Sequence, residues 1–134
     1  MNKIIILKSD FPNDPTGNVD NHQFYVYQED DDIYLFSVSS ILGVAKTKRA
    51  NLKTSQKIID KDMRDNGFRV SSFIDCSKRY YIDKDKIDIS KLDGRNITET
   101  LDNKILDRIN DVKTDCSTYE FDTLDLINYN PKLR

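Results

Sequence analysis

Residues 49–87 read RANLKTSQKIIDKDMRDNGFRVSSFIDCSKRYYIDKDKI and carry the most informative pattern of the chain. A basic loop that also bears hydroxyl groups runs into a polar turn at Asn66–Gly67, and an apolar strand and a second basic segment, Lys78–Arg79, follow. The whole chain has a net charge of −2, so the positive charge of this region is a local feature of the sequence. Local clustering of this kind is typical of a surface that binds phosphate groups.

Composition limits the class of protein. The chain has 134 residues, of which 37% are hydrophobic and 33% charged, as expected for one domain with a real core. Its two cysteines, Cys76 and Cys116, are too few and too far apart for a disulfide framework, which favours reduced thiols and a cytoplasmic location. With one histidine and two cysteines, a zinc site would also need Asp or Glu ligands, so no metal or cofactor is expected.

Two further properties exclude broad partner classes. The longest apolar run, residues 4–7, is far too short to span a membrane and lacks the features of a signal peptide. The sequence pI of about 5.4 disfavours general nucleic-acid binding, which requires many phosphates to be neutralised at once. A local basic patch can still bind RNA at a few phosphates.

The hydrophobic pattern predicts strands separated by turns, followed by a helix. Strands are expected at residues 2–9, in a hairpin over 23–38, and at 58–59, 70–76 and 80–82, with a further turn at Asp93–Gly94. The helix is expected to begin near Thr100 or Asp102, with an apolar stripe and a polar outer face that includes Asp102. The stripe consists of Leu101, Ile105, Ile109 and Val112.

This pattern predicts a mainly β protein with helices (α+β), built as a small curved barrel with a C-terminal helix. We expect a single domain over 1–134, with a core of about 1–113 and a C-terminal extension over 114–134. The extension contains apolar and aromatic residues, which fit either a short helix or an extended segment packed on the barrel.

Three segments resemble the MazF/PemK-like toxin family, over roughly residues 15–112. TGNV (16–19) and the strand FYVY (24–27) are similar to the family's glycine-rich loop and apolar strand. NLKT (51–54), with 67–69 and 72–74, is similar to its L-x-T loop, turn and strand. KRYYIDK (78–84) is similar to its I-R-x-I-D-K segment. Where the family has Arg-Pro at the start of the second strand, this chain has His22-Gln23.

The resemblance implies an SH3-like barrel of the MazF/CcdB type and a homodimer supported by the helix. It also implies a toxin of a toxin–antitoxin system: a metal-independent, sequence-specific endoribonuclease (an mRNA interferase) that cleaves single-stranded RNA to 2′,3′-cyclic phosphate and 5′-OH ends. The expected partners are the RNA substrate and a cognate antitoxin, which is a protein or, in a type III system, an RNA.

His22 and Thr54 are the candidate catalytic residues. His22 carries the only imidazole and lies between a loop and a strand; its ordinary pKa suits proton transfer to or from a ribose or phosphate oxygen. The resemblance gives Thr54 the role of a hydroxyl that contacts the scissile phosphate or the 2′-oxygen, with Ser55 as its neighbouring substitute. Each residue also has an ordinary structural interpretation.

The candidate RNA-binding residues are cations beside these positions. Arginine binds a phosphate through two hydrogen bonds and lysine as a point charge, although both also occur as solvated loop residues. One or two strand tyrosines can stack unpaired bases. The candidate RNA contacts are Lys48, Arg49, Lys53, Ser55, Lys78 and Arg79.

The alternative is a non-catalytic binding module on an SH3-like barrel. Such a module would be a CcdB-like protein-binding toxin or a degenerate phage or plasmid accessory protein, and the absence of the Arg-Pro pair favours the latter. Convergence of His22, Thr54 and Lys53 in space would favour the enzyme, because function resides in the site and not in the fold.

Overall fold

The computed structural model describes residues 3–40 and 66–134, together with the backbone of 56–59. These residues form a mixed α+β protein with one eight-stranded sheet and two α-helices. The helices are α1 (Glu99–Asp111) and α2 (Thr123–Tyr129). The strands are β1 (Lys3–Ser9), β2 (Asp20–Glu29), β3 (Asp32–Ser40), β4 (Gln56–Ile59), β5 (Ser72–Asp75), β6 (Lys78–Ile82), β7 (Gly94–Asn96) and β8 (Ser117–Glu120).

The sheet has the order β4-β5-β3-β2-β1-β7, with β6 beside β3 and β8 beside β6. All neighbours pair antiparallel except β6 and β8, which run parallel. The predicted hairpin is confirmed as β2 and β3, and its acidic turn places Asp30 at a φ of 55°. Among the described strands the two ends of the sheet, β4 and β7, do not pair, so the sheet is open there and the closed SH3-like barrel is not observed.

Strand β3 is shared by two consecutive partners. Val38 pairs with Ile74 of β5, and Leu35 pairs with Tyr80 of β6. Between these two pairs β3 advances three residues while its partner advances six. Strands β5 and β6 are therefore two halves of one strand, interrupted by a bulge of three extra residues between Ile74 and Tyr80. A bulge bends its strand and re-aims the side chains around it.

Both faces of the sheet are buried. Neighbouring residues such as Ile4 and Ile5, or Phe24 and Tyr25, are all 0% exposed, although successive strand side chains point to opposite faces. One face packs on α1 through Ile105 and Ile109. The other is covered by residues that follow β6 in sequence, which are Ile87, Leu92, Phe121, Leu126 and Leu133. The protein thus has three layers with the sheet in the middle.

The C-terminal segment after residue 113 belongs to this core. Both sequence alternatives for it occur, because β8 is extended and α2 is helical. Its contact with β1 is made by the side-chain amide of Asn130, which accepts from the Lys8 N–H at 2.9 Å and donates to the Lys8 carbonyl at 2.8 Å. The segment therefore supplies one layer of the fold.

Three local predictions were wrong. Helix α1 is capped by Thr98, whose hydroxyl accepts from the Leu101 N–H at 3.3 Å, and not by Thr100 or Asp102. Asp102, expected on the outer face, is 8% exposed. Gly94, expected in a turn, begins β7; a Cβ there would lie 2.4 Å from the Ile4 carbonyl oxygen, so the close approach of β7 to β1 requires glycine.

Asp102 is buried because it has a partner on the sheet. The hydroxyl of Tyr25 donates to the Asp102 Oδ1 at 2.5 Å, across the interface between β2 and α1. Burial and this carboxylate together raise the pKa of Tyr25 far above its ordinary value, so the phenol stays protonated as a donor. A buried carboxylate that loses its donor pays the full cost of desolvation.

Replacing Tyr25 with Phe should destabilise the protein by about 1.5–3 kcal/mol, the usual range for a hydrogen bond to a charged group. Urea unfolding of Tyr25→Phe measures this. Tyr27→Phe, on the same strand face and half-buried, is the matched control and should cost less. Equal costs for the two variants would show that the Tyr25–Asp102 bond does not hold α1 on the sheet.

Candidate functional site

A cleft of about 300 Å³ opens on the sheet face that the C-terminal segment covers. It lies where the loop between β1 and β2 crosses β2, β3 and the bulged strand. Its lining combines aromatic rings with hydroxyl, carboxyl and amino groups. The lining residues are Phe11, Asn13, Asp14, His22, Ser37, Val38, Ser39, Asp75, Lys78 and Tyr80.

The bulge brings Asp75 and Lys78 to the same cleft. In a regular strand, residues three positions apart point to opposite faces. Here the bulge lies between them and both side chains line the cleft. Asp75 Oδ1 holds the bulge by accepting from the Ser77 N–H at 3.0 Å and the Ser77 hydroxyl at 2.5 Å. The turn thus brings a carboxylate and an amino group into the lining of one cleft.

His22 lies on β2, opposite Leu7 of β1, and is half-buried. Its ring packs against Phe11 with ring centroids 4.6 Å apart, and more loosely against Phe24. Burial lowers the pKa of His22 below its ordinary value of 6.5, and this outweighs the Asp20 charge and the contact with the Ser9 backbone, both of which raise it. The imidazole is therefore mostly neutral at pH 7, ready to accept a proton.

Lys78 is the available cation of the cleft. Within the described part of the chain, no ion pair or hydrogen bond engages its ammonium group. The two carboxylates in the lining are each bound to a turn: Asp75 to Ser77, and Asp14 to the Thr16 N–H and hydroxyl at 2.9 and 2.8 Å. The Thr16 backbone hydrogen bond is the main reason why the pKa of Asp14 is lowered.

Ser37 and Ser39 add two hydroxyl groups from β3. They share a strand face with the buried Leu35, and both line the cleft. The sequence analysis missed them, together with Asn13, Asp14 and Asp75. The signal was present, because the apolar alternation of β3 changes to serine on one face at its end. Such a change marks the place where a core gives way to a polar surface.

Tyr80 forms part of the cleft floor. Its hydroxyl donates to Asn13 Oδ1 at 3.0 Å, and burial raises the pKa of Tyr80 to about 12. Its ring also packs on Phe11 with centroids 5.2 Å apart. Through these two contacts Tyr80 holds the β1–β2 loop against the sheet beside the cleft.

Arg79 lies away from the cleft. Its guanidinium contacts Glu29 at 2.7 Å and Thr118 at 2.8 Å, and stacks over the Tyr34 ring at 4.0 Å. Glu29 also binds Lys113, so Arg79 belongs to an ion-pair network that links the β2–β3 hairpin to the end of α1. Of the two adjacent cations expected near one groove, only Lys78 shares the cleft with His22.

The remaining predicted site residues, Lys48, Arg49, Lys53, Thr54 and Ser55, lie outside the described residues. In the part of the chain that is described, no group of three or more His, Cys, Asp and Glu side chains could hold a metal ion. No helix of the described segments is long and apolar enough to cross a membrane.

Comparison with protein-family models, with curated proteins and with solved structures finds no match to this chain. The case for a function therefore depends on the residues of the cleft.

The single histidine allows a direct test of this electrostatic description. Titration of His22 followed by NMR should give a midpoint below 6.5. Asp20→Asn should lower the midpoint further, because the Asp20 charge raises it. Phe11→Ala should raise it towards 6.5, because water then reaches the ring. A wild-type midpoint at or above 6.5 would contradict the inference that His22 is kept neutral by burial.

Proposed function

We propose that the protein is the toxin of a toxin–antitoxin system and a metal-independent, sequence-specific endoribonuclease acting on single-stranded RNA. The observation that carries the proposal is the cleft shared by His22 and Lys78, residues that are far apart in sequence. A group that moves protons and a cation that binds a phosphate are the two requirements of RNA cleavage without metal.

The proposed reaction is an internal transfer at phosphorus. Neutral His22 accepts the proton of the ribose 2′-hydroxyl, and the 2′-oxygen forms a bond to phosphorus. The bond between phosphorus and the 5′-oxygen breaks, and the imidazolium returns its proton to that oxygen. The products are a 2′,3′-cyclic phosphate and a 5′-OH end. The lowered pKa of His22 suits the first step, because the base is already unprotonated at neutral pH.

Lys78 is assigned to the scissile phosphate. Its ammonium stabilises the negative charge that grows on the phosphorus-bound oxygens in the transition state. Ser37 and Ser39 offer hydrogen bonds to the same oxygens or to the ribose. Because all three lie in one small cleft with His22, they can act on one nucleotide.

The loop predicted from sequence completes the assignment. Thr54 would contact the scissile phosphate or the 2′-oxygen, with Ser55 beside it, and Lys48, Arg49 and Lys53 would bind neighbouring phosphates. Gln56, which directly follows Ser55 in sequence, pairs with Asp75 in the cleft wall. This connection supports a role for the loop at the same site.

The proposal includes the other properties implied by the MazF/PemK-like resemblance. These are an SH3-like barrel relationship, a homodimer, a cytoplasmic location and an antitoxin that covers the RNA-binding surface, whether protein or RNA. Support for a small single-stranded site comes from the chain itself. A net charge of −2 disfavours duplex RNA, which presents many phosphates along its length.

A second candidate is a non-catalytic binding module, and one observation favours it. Two carboxylates, Asp14 and Asp75, line the same cleft. Fixed negative charges repel the phosphate backbone of RNA. They would suit a protein ligand that carries both positive and negative charges. This candidate would leave His22 as a packing partner of Phe11.

Cleavage of a long single-stranded RNA in EDTA separates the two candidates. Wild type should give discrete cuts with cyclic-phosphate ends. His22→Ala should lower the rate by about 10²-fold or more, the usual contribution of a proton-transfer group. Lys78→Ala should weaken cleavage by about tenfold. Lys84→Ala is the matched control, because it removes one exposed lysine from the turn after β6; its rate should be unchanged. Thr54→Ala tests the loop.

No cutting by folded wild-type protein would favour the binding module. Cuts that survive His22→Ala would retain the ribonuclease and discard the proposed base. Equal losses in Lys78→Ala and Lys84→Ala would mean that net charge, and not the cleft, determines RNA binding.

The pH dependence gives a separate test of the role of His22. If His22 is the base, kcat/KM should rise with pH through an apparent pKa below 6.5 and then level off. The acid limb should move down in Asp20→Asn, together with the NMR midpoint. A rate that falls as pH rises through the His22 midpoint would show instead that the imidazolium acts as an acid.

A further inference from the structure

We propose that Asp75 determines base specificity, so that the cleft accepts a nucleotide whose base carries an exocyclic amino group and prefers cytosine to uracil. The inference rests on the proposed function, because it assigns the nucleotide that occupies the same cleft. It adds a residue and a recognition rule that the RNA-cleavage proposal does not require.

The cleft has a size that suits one nucleotide. About 300 Å³ is the lower end of the range for small-molecule sites. The lining includes the ring of Phe11, which packs at a tilt against His22 and Tyr80 and offers apolar surface to a base. Lys78, the cation that suits a phosphate, lines the same cleft. A single base with its phosphate therefore matches the groups in the lining.

Asp75 supplies a polar group that can distinguish bases, and it is held in strand β5 of the sheet, whereas Asp14 is held in the β1–β2 loop. Its Oδ1 is occupied by the Ser77 N–H and hydroxyl, which fix the carboxylate in the bulge. Its Oδ2 has no hydrogen bond within the described part of the chain. A carboxylate oxygen only accepts hydrogen bonds. Because Asp75 lines the cleft, Oδ2 can accept a hydrogen bond from a donor on the ligand.

Cytosine and uracil differ at the position that such an acceptor can distinguish. Cytosine presents an N4 amino donor where uracil presents an O4 acceptor. The carboxylate would bind the amino group and repel the carbonyl oxygen. A site built to accept a hydrogen bond discriminates strongly against a ligand that cannot donate one, because both acceptors are then left desolvated without a partner. We expect at least about a tenfold preference for cytosine.

Two readouts test this inference. The first is binding of cytidine 3′-monophosphate and uridine 3′-monophosphate to the intact protein, followed through the NMR signals of His22. The second is the base at each cut in a mapped RNA digest. In wild type, the cytidine nucleotide should bind about tenfold more tightly, and cuts should fall beside cytosine about tenfold more often than beside uracil.

Asp75→Asn provides the decisive variant. Its side-chain oxygen can still accept from Ser77 and hold the bulge, while its amide nitrogen places a donor where the free acceptor was. The preference should therefore shift by at least about tenfold towards uracil. Removal of a negative charge strengthens phosphate binding for both nucleotides, so the ratio between them is the quantity to compare. Ser77→Ala, which removes one bond to Oδ1 and leaves Oδ2 unchanged, is the control and should keep the wild-type ratio.

The outcomes separate this inference from the proposed function. RNA cleavage with a cytosine-to-uracil ratio that Asp75→Asn leaves unchanged overturns the role of Asp75 and retains the ribonuclease. Selective nucleotide binding that Asp75→Asn reverses, without RNA cleavage, supports the recognition rule and contradicts the ribonuclease. Equal binding of the two nucleotides by wild type, or no saturable binding of either, overturns the inference without reference to any variant.

Discussion

The three-residue bulge between β5 and β6 is the constraint on which the cleft depends. Without it, Asp75 and Lys78 would point to opposite faces of the sheet. With it, both line the same cleft, and Arg79 falls on the other face, where it binds Glu29. The bulge is held by one carboxylate that binds one serine at two atoms. A local turn therefore decides which cations of a basic segment can reach a ligand.

Both faces of the sheet are buried, and a separate part of the chain packs on each face. Helix α1 covers one face and is attached by the Tyr25–Asp102 hydrogen bond in addition to its apolar stripe. The C-terminal segment covers the other face and is attached to β1 by Asn130. The C-terminal segment leaves part of its sheet face uncovered. The β1–β2 loop covers some of this part, and the remainder is the cleft. The cleft thus lies at the edge of the layer that the C-terminal segment forms.

The strands and the long helix were predictable because their signals are local. β1, the β2–β3 hairpin and β6 are apolar runs ended by turn residues, and α1 has a regular apolar stripe. Asp102 precedes Ile105 by three residues and Ile109 by seven, so its spacing places it on the apolar face of the helix, and only its charge suggested the outer face. The partner that allows its burial was not predictable, because Tyr25 lies 77 residues away. The bulge was not predictable either, because its register is set by pairing with β3. His22 and Lys78 were identified from residue type, but their position in the same cleft depends on the pairing of β3 with β5 and β6.

The mixed charge of the cleft restricts what can bind there. A ligand with negative charge alone would gain from Lys78 but be repelled by Asp14 and Asp75. A purely cationic ligand would meet the opposite problem. The two carboxylates are bound alike within the described residues: Asp14 Oδ1 accepts from the Thr16 N–H and hydroxyl, and Asp75 Oδ1 accepts from the Ser77 N–H and hydroxyl. They differ in their place, because Asp14 lies in the β1–β2 loop and Asp75 in strand β5 of the sheet. A nucleotide with an amino-bearing base presents a phosphate to Lys78 and a hydrogen-bond donor to Asp75 Oδ2. The acidic lining is the main argument against RNA binding. In a complex with such a nucleotide, it would make the cleft selective for the base.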